Sequence, residues 1–354
     1  MKNVMTRRSC LAALIASGVS LEASWAEDPP TSIASNTGGI PVSSQSIVLK
    51  PIVQEMERTV ITALAADPRG RFVAASGDDH AIRILDSGTL RLINTLPGHR
   101  DLIRTLAFDR AGKKLVSAGN DGQLIIWNRD DEFSIFQKMS GTPALACVRF
   151  SPLGDEIAAV GFDNRVYLIG RRSKPEPALR CDCSDLRAVA YRDDHKILAV
   201  AGRSGDLHLF DRDKSELAFD GGLHEGRIHA MAFLPESTSL VSVAEDGAVV
   251  VFDTERMKVV GKMGVTTGKL FAVSIIDARH IAVAGSDNII RIIDAVAGRL
   301  IRPLIGHQGS IRTLCAYGGI LFSGGFDMTL RRWSLTGLQE QERIAEGDPT
   351  VDRQ

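Results

Sequence analysis

Three sets of side chains in this sequence are of the types that nucleophilic catalysis uses. His99, Ser117 and Asp121 form the first, His224, Ser242 and Asp246 the second, and His307, Ser323 and Asp327 the third. In each set the Asp follows the Ser by four residues. A Ser–His–Asp relay needs an exposed nucleophile beside its base and a third group to orient that base. A set that recurs along the chain fits scaffolding better than one reaction centre, so no catalytic residue is assigned.

The other reactive side chains lead no further. Asp79, Asp163 and Asp287 lie close to Gly but lack the dense oxygen-ligand spacing of a calcium loop. Cys147 and Cys315 sit in apolar runs and read as small buried hydrophobes. Cys181 and Cys183 flank a single Asp. A disulfide between such extended neighbours is geometrically awkward and stays open, and no Cys–His metal spacing accompanies them. Neither a metal nor a cofactor is expected.

What must position these side chains is a repeat. A stem recurs seven times, as ITALAAD from Ile61, IRTLAFD from Ile103, LACVRFS from Leu145, LRAVAYR from Leu186, IHAMAFL from Ile228, LFAVSII from Leu270 and IRTLCAY from Ile311. Successive stems start 41 or 42 residues apart, which marks a repeat architecture. The second copy holds four short strand-like runs separated by turn clusters such as Asp-Arg-Ala-Gly and Gly-Asn-Asp-Gly. Each copy is therefore a four-stranded antiparallel meander whose two apolar faces cannot stand alone. Seven of them stacked around a channel make an all-β, seven-bladed propeller. The last copy lacks an outer strand after Trp333, and the run Ser46 to Val53 has nothing to pair with. Ile47 to Val53 is expected to be that strand and to close the ring, since without it an edge stays open.

The pattern resembles the WD-repeat β-propeller family over residues 46–336. In that family a Gly-His, a Ser or Thr, an Asp and a Trp form a hydrogen-bonded tetrad. His99, Ser117, Asp121 and Trp127 match it, as do His307, Ser323, Asp327 and Trp333, with Gly98 and Gly306 before the two His. His224, Ser242 and Asp246 match with Phe252 at the Trp position, where no hydrogen bond can be donated. The other four copies depart further. Asp79, Asp163 and Asp287 hold the turn in three of them, and Gly205 or Asp206 in the fourth. The resemblance implies that these sets are structural, and that a partner peptide docks at the channel mouth.

The residue after each stem's first apolar position is Thr62, Arg104, Ala146, Arg187, His229, Phe271 or Arg312. Arg104, Arg187, Arg312 and His229 would give the mouth positive potential and favour an acidic protein or peptide segment, with Phe271 as an apolar anchor. Over the whole chain 42 basic and 43 acidic side chains nearly cancel, which argues against general nucleic-acid binding.

Residues 1–26 read as a signal peptide. Lys2, Arg7 and Arg8 precede a short apolar core from Leu11 to Val19, and Ser24-Trp25-Ala26 offers a cleavage site. That core is too short to span a bilayer. An exported, periplasmic, bacterial member without a membrane anchor is expected, by the twin-arginine or the general secretory route. Cys10 precedes the core and is a poor lipid-anchor candidate. Residues 27–45 read as a flexible lead-in, Arg171, Arg172 and Lys174 as a basic patch on an exposed loop, and residues 337–354 as a polar tail. The leading function is a noncatalytic protein or peptide interaction scaffold. A channel-mouth enzyme or small-ligand sensor and a structural subunit of an envelope assembly are the alternatives, and the oligomeric state is open.

Overall fold

The computed structural model describes residues 44–51, 58–170, 176–180 and 185–335. The signal peptide, the lead-in up to residue 43, Cys10, the 171–174 basic patch, Cys181, Cys183 and the 337–354 tail lie outside the described residues. The expected architecture is observed: seven sheets, each of four antiparallel strands in meander order. The innermost strands are Ile61–Ala66, Ile103–Phe108, Leu145–Phe150, Leu186–Tyr191, Ile228–Phe233, Leu270–Ile275 and Ile311–Tyr317. Their sheets are numbered here as blades 1 to 7.

Blades pack face to face, so strands in the middle of a sheet bury both sides and read as unbroken runs instead of alternating ones. Phe72–Gly77, Ile197–Gly202 and His280–Gly285 are buried at every position. Seven apolar clusters result, each joining residues of two adjacent blades. The ring is thus held by seven similar cores, one per blade interface.

Blade 7 takes its outer strand from the other end of the sequence. Ser44–Val48 pairs antiparallel with Thr329–Ser334, with Ser44 opposite Trp333 and Val48 opposite Thr329. The strand begins three residues before the expected Ile47 and stops at Val48. Leu49 then turns inward, 4% exposed, into the cluster holding Ile61, Phe322 and Leu330. Pro51 has no N–H with which to continue a ladder.

Every inner strand carries the same irregularity. Register shifts between the first and third stem residues in all seven blades. The residue skipped is Thr62, Arg104, Ala146, Arg187, His229, Phe271 or Arg312. A bulged residue leaves the ladder and has its side chain re-aimed. Here seven bulges aim seven side chains at one axis.

Candidate binding site at the channel mouth

The Ser–His–Asp sets lie inside the blades. In blade 2 the Trp127 indole N–H donates to Ser117 Oγ at 2.9 Å. Ser117 Oγ lies 2.8 Å from His99 Nε2, and His99 Nδ1 lies 2.9 Å from Asp121. Blade 7 repeats the chain, from Trp333 to Ser323 at 2.8 Å, on to His307 at 2.7 Å and to Asp327 at 2.8 Å. This direction of donation uses a neutral imidazole, and burial accordingly pushes His99 and His307 below the ordinary His range against the pull of their Asp partners. In blade 5, burial alone would raise the Asp246 carboxyl. The hydrogen bond from His224 and backbone N–H groups outweigh it and hold Asp246 at about 2. Ser117, Ser242 and Ser323 are fully buried, so none of these hydroxyls can reach a substrate as a nucleophile.

Close contact explains the Gly before His. A Cβ on Gly98 would stand 3.1 Å from the Trp127 ring, and one on Gly306 2.9 Å from the Trp333 ring. Blade 5 has Leu223 at that place and the smaller Phe252 opposite, both buried in one cluster. The larger neighbour is accommodated by the smaller ring.

Blades without a His tetrad anchor the turn Asp locally, a feature the sequence reading missed. Asp79 pairs with Arg83, Asp163 accepts from the Tyr167 hydroxyl at 2.7 Å, and Asp287 pairs with Arg291 at 2.7 Å. Each partner lies four residues after its Asp, on the next strand. In blade 4 the register places Ser204 at the Asp position and Gly205 one residue later, at φ +80°. Neither Gly205 nor Asp206 is therefore the equivalent of the turn Asp.

All seven bulge residues line one cavity of about 100 Å³ on the axis. Arg187 pairs with Asp185 at 2.6 Å, and Arg104 Nε donates to Asn120. Both guanidinium groups flank the Phe162 ring, at 4.9 Å for Arg104 and 4.0 Å for Arg187. Arg312 has only the Phe271 ring, 5.9 Å away, and no hydrogen bond or ion pair among the described residues. Desolvation first, then repulsion from Arg104 and Arg187, brings Arg312 down to about 10. It is still cationic at neutral pH.

His229 does not add to this charge as expected. Burial, followed by the neighbouring Arg312, lowers it to about 4, although Glu245 lies 3.1 Å from Nε2 and works the other way. It is neutral near pH 7 and meets the Phe271 ring edge-on at 5.1 Å. Among the bulge residues, positive charge at the mouth comes from three Arg side chains, and Arg149 lines the same cavity.

A second ring surrounds the first and was not read from the sequence. It consists of the residue following the end of each second strand: Asp78, Asn120, Phe162, Arg203, Glu245, Ser286 and Phe326. Asn120 and Glu245 satisfy the bulge residues of their own blades. Phe326 stands at the place of Asn120 and Glu245 but offers Arg312 no acceptor. It is 53% exposed and shares with Arg312, Arg104, Thr62, Val60, Leu102 and Asp78 a side pocket of about 200 Å³, in which the Asp78 carboxylate accepts from the Val60 backbone N–H at 3.0 Å. This column recurs as regularly as the stem but mixes polar and aromatic residues.

Among the described residues no group of three or more His, Cys, Asp or Glu side chains is placed to hold a metal ion. Residues 53–86, 90–128, 222–253 and 298–334 match the family described as "WD domain, G-beta repeat". The chain is 24% identical over 299 residues, 82% of its length, to nuclear distribution protein PAC1-1 of Uncinocarpus reesii, covering 62% of that protein. It is 26% identical to methylosome protein WDR77 of Xenopus laevis, over 44% of this chain and 49% of the other. It is 25% identical to actin-interacting protein 1 of Drosophila melanogaster, over 79% and 55%. The chain thus spans less than two thirds of the length of these relatives.

These relatives are eukaryotic, and their names refer to nuclear distribution, the methylosome and actin. The expectation of a bacterial, exported, periplasmic protein is corrected on that finding, and with it the exported form of the scaffold function. The matched stretches fall on blades 1, 2, 5 and 7, while blades 3, 4 and 6 keep the sheet and replace the tetrad. The chain is a seven-bladed propeller of four-stranded sheets, similar over four stretches to the WD domain, G-beta repeat.

Proposed function

We propose that this ring is a protein-interaction module whose channel mouth receives a peptide segment carrying a carboxylate. The observation that carries the reading is Arg312. Its guanidinium is partly buried beside two other Arg residues and has no acidic partner among the described residues. A buried cation without a counter-charge is costly, and an incoming carboxylate would relieve that cost with charge-assisted hydrogen bonds. Phe271 and the more exposed Phe326 supply apolar contact on either side. The cavity of about 100 Å³ suits one inserted side chain and is well below the range of roughly 300–1,000 Å³ usual for small-molecule sites.

The test is an array of peptides rich in Asp or Glu, paired with the same peptides carrying Asn or Gln. Retention of the acidic members and loss of the amide members is expected. Arg312→Gln should reduce retention about tenfold, a difference of about 1.4 kcal/mol. Equal retention of acids and amides would sink the reading.

A further inference from the structure

The opposite end of the channel carries a different constellation. The sixth stem residue, five places after the first, is Phe108, Phe150, Tyr191, Phe233 and Ile275 in blades 2 to 6, against Ala66 and Ala316 in blades 1 and 7. Five large apolar side chains thus converge on one side of the exit face, where they line an open bowl of about 470 Å³. The Tyr191 hydroxyl is committed to Glu156 at 2.6 Å, so the tyrosine adds a ring and not a free polar group.

One charge rises from the floor of this bowl. The fifth stem residue is Ala65, Ala107, Ala190, Ala232, Ser274 or Cys315 in six blades and Arg149 in the third. Arg149 lines both the mouth cavity and the exit bowl, at the waist between them. One guanidinium N–H donates to the Val148 carbonyl at 2.7 Å, and among the described residues Arg149 meets no acidic side chain. The other charged residues lining the bowl are Arg110 and Asp193. Asp193 already accepts from the Glu236 backbone N–H at 3.0 Å.

We propose that the exit face is a second binding site, for a small organic carboxylate with an aromatic or branched apolar body. Its volume lies within the usual ligand range, its walls offer five large apolar side chains beside about as much polar surface, and Arg149 is the convergent polar group that would fix orientation. A carboxylate on Arg149 would leave the body of the ligand against Phe150, Phe233 and Ile275. This site does not depend on the reading of the mouth, since it rests on Arg149 and the exit-face side chains and not on Arg312.

The probes are 2-naphthoate and its neutral counterpart 2-naphthylmethanol, titrated into the full chain by calorimetry. Naphthoate should bind at least tenfold tighter than the alcohol. Arg149→Gln should remove that preference, Arg149→Lys should keep part of it, and Phe150→Leu should weaken both probes. Arg312→Gln should change neither. Arg149→Ser is the companion variant, since six blades carry a small residue at this place, and melting curves establish that the variants fold. The proposal is overturned by equal affinity of the two probes or by no binding at millimolar concentration. It is equally overturned by a preference that persists in folded Arg149→Gln and Arg149→Ser, or by one that disappears in Arg312→Gln.

Discussion

Arg312 shows how a single side chain can be kept against the interest of stability. It loses hydration, faces Arg104 and Arg187, and receives in return one ring contact with Phe271. Arg312→Met is therefore expected to raise the stability of the free protein by about 1–2 kcal/mol while weakening capture of acidic peptides, the trade-off usual at binding sites. Urea unfolding checks the first half, and an unchanged or lowered midpoint would count against it. The tetrads give a second expectation. His99 and His307 titrate below their unfolded value near 6.5. Between those values the unfolded chain binds protons that the folded chain does not. Their contribution is thus complete above about pH 6.5 and falls as pH drops below it. Asp246, held at about 2, works in a lower window, where its contribution declines from about pH 4 downward. Unfolding midpoints at pH 7.5 and pH 5 should differ, with the lower value at pH 5, and a flat profile would contradict the neutral-imidazole chain. At this scale the sequence disclosed which residues meet at the mouth but not their charge state. His229 counted as a cation until its burial and its neighbours were visible.

Within a blade, the Gly–Trp and Leu–Phe pairs make a compensation that can be tested. Phe252→Trp should destabilise blade 5 by about 1–3 kcal/mol through overpacking against Leu223. Adding Leu223→Gly should recover part of that loss, because it recreates the arrangement of Gly98 with Trp127. A double-mutant cycle measures the coupling, and strictly additive effects would refute the steric account. Stem spacing was legible because the inner strand of each blade is pinned on both faces and by a bulge, so it tolerates only one residue of drift. Other details were less legible. The column at Asp78, Asn120, Phe162, Arg203, Glu245, Ser286 and Phe326 is polar in five blades and aromatic in two, so composition alone does not mark it. Ser204 was passed over in favour of Gly205 and Asp206 because the turn register of blade 4 follows backbone pairing and not residue type. The closing strand starts at Ser44 and not at Ile47 because Trp333 pairs with Ser44, and the polar Ser44-Gln45-Ser46 run carries no apolar mark of a strand.

Across the molecule, ring closure joins residues nearly 300 positions apart through one five-residue strand. Its burial is modest apart from Ile47 and Leu49, yet it covers the last unpaired edge. Leu49→Ala should cost about 2–4 kcal/mol, and proteolysis should show blade 7 opening before the others. Uniform protection of all blades in that variant would argue against a clasp. The two ends of the channel differ, a narrow mouth lined by Arg side chains and a wider exit lined by five large apolar side chains, built from different columns of the same stem. The most direct test of the mouth is a double-mutant cycle between Arg312→Gln and a Glu→Gln change in an acidic peptide retained on the array. A coupling of about 1.5–3 kcal/mol is expected for a charge-assisted pair, whereas additive losses with no coupling would show that the carboxylate does not meet Arg312.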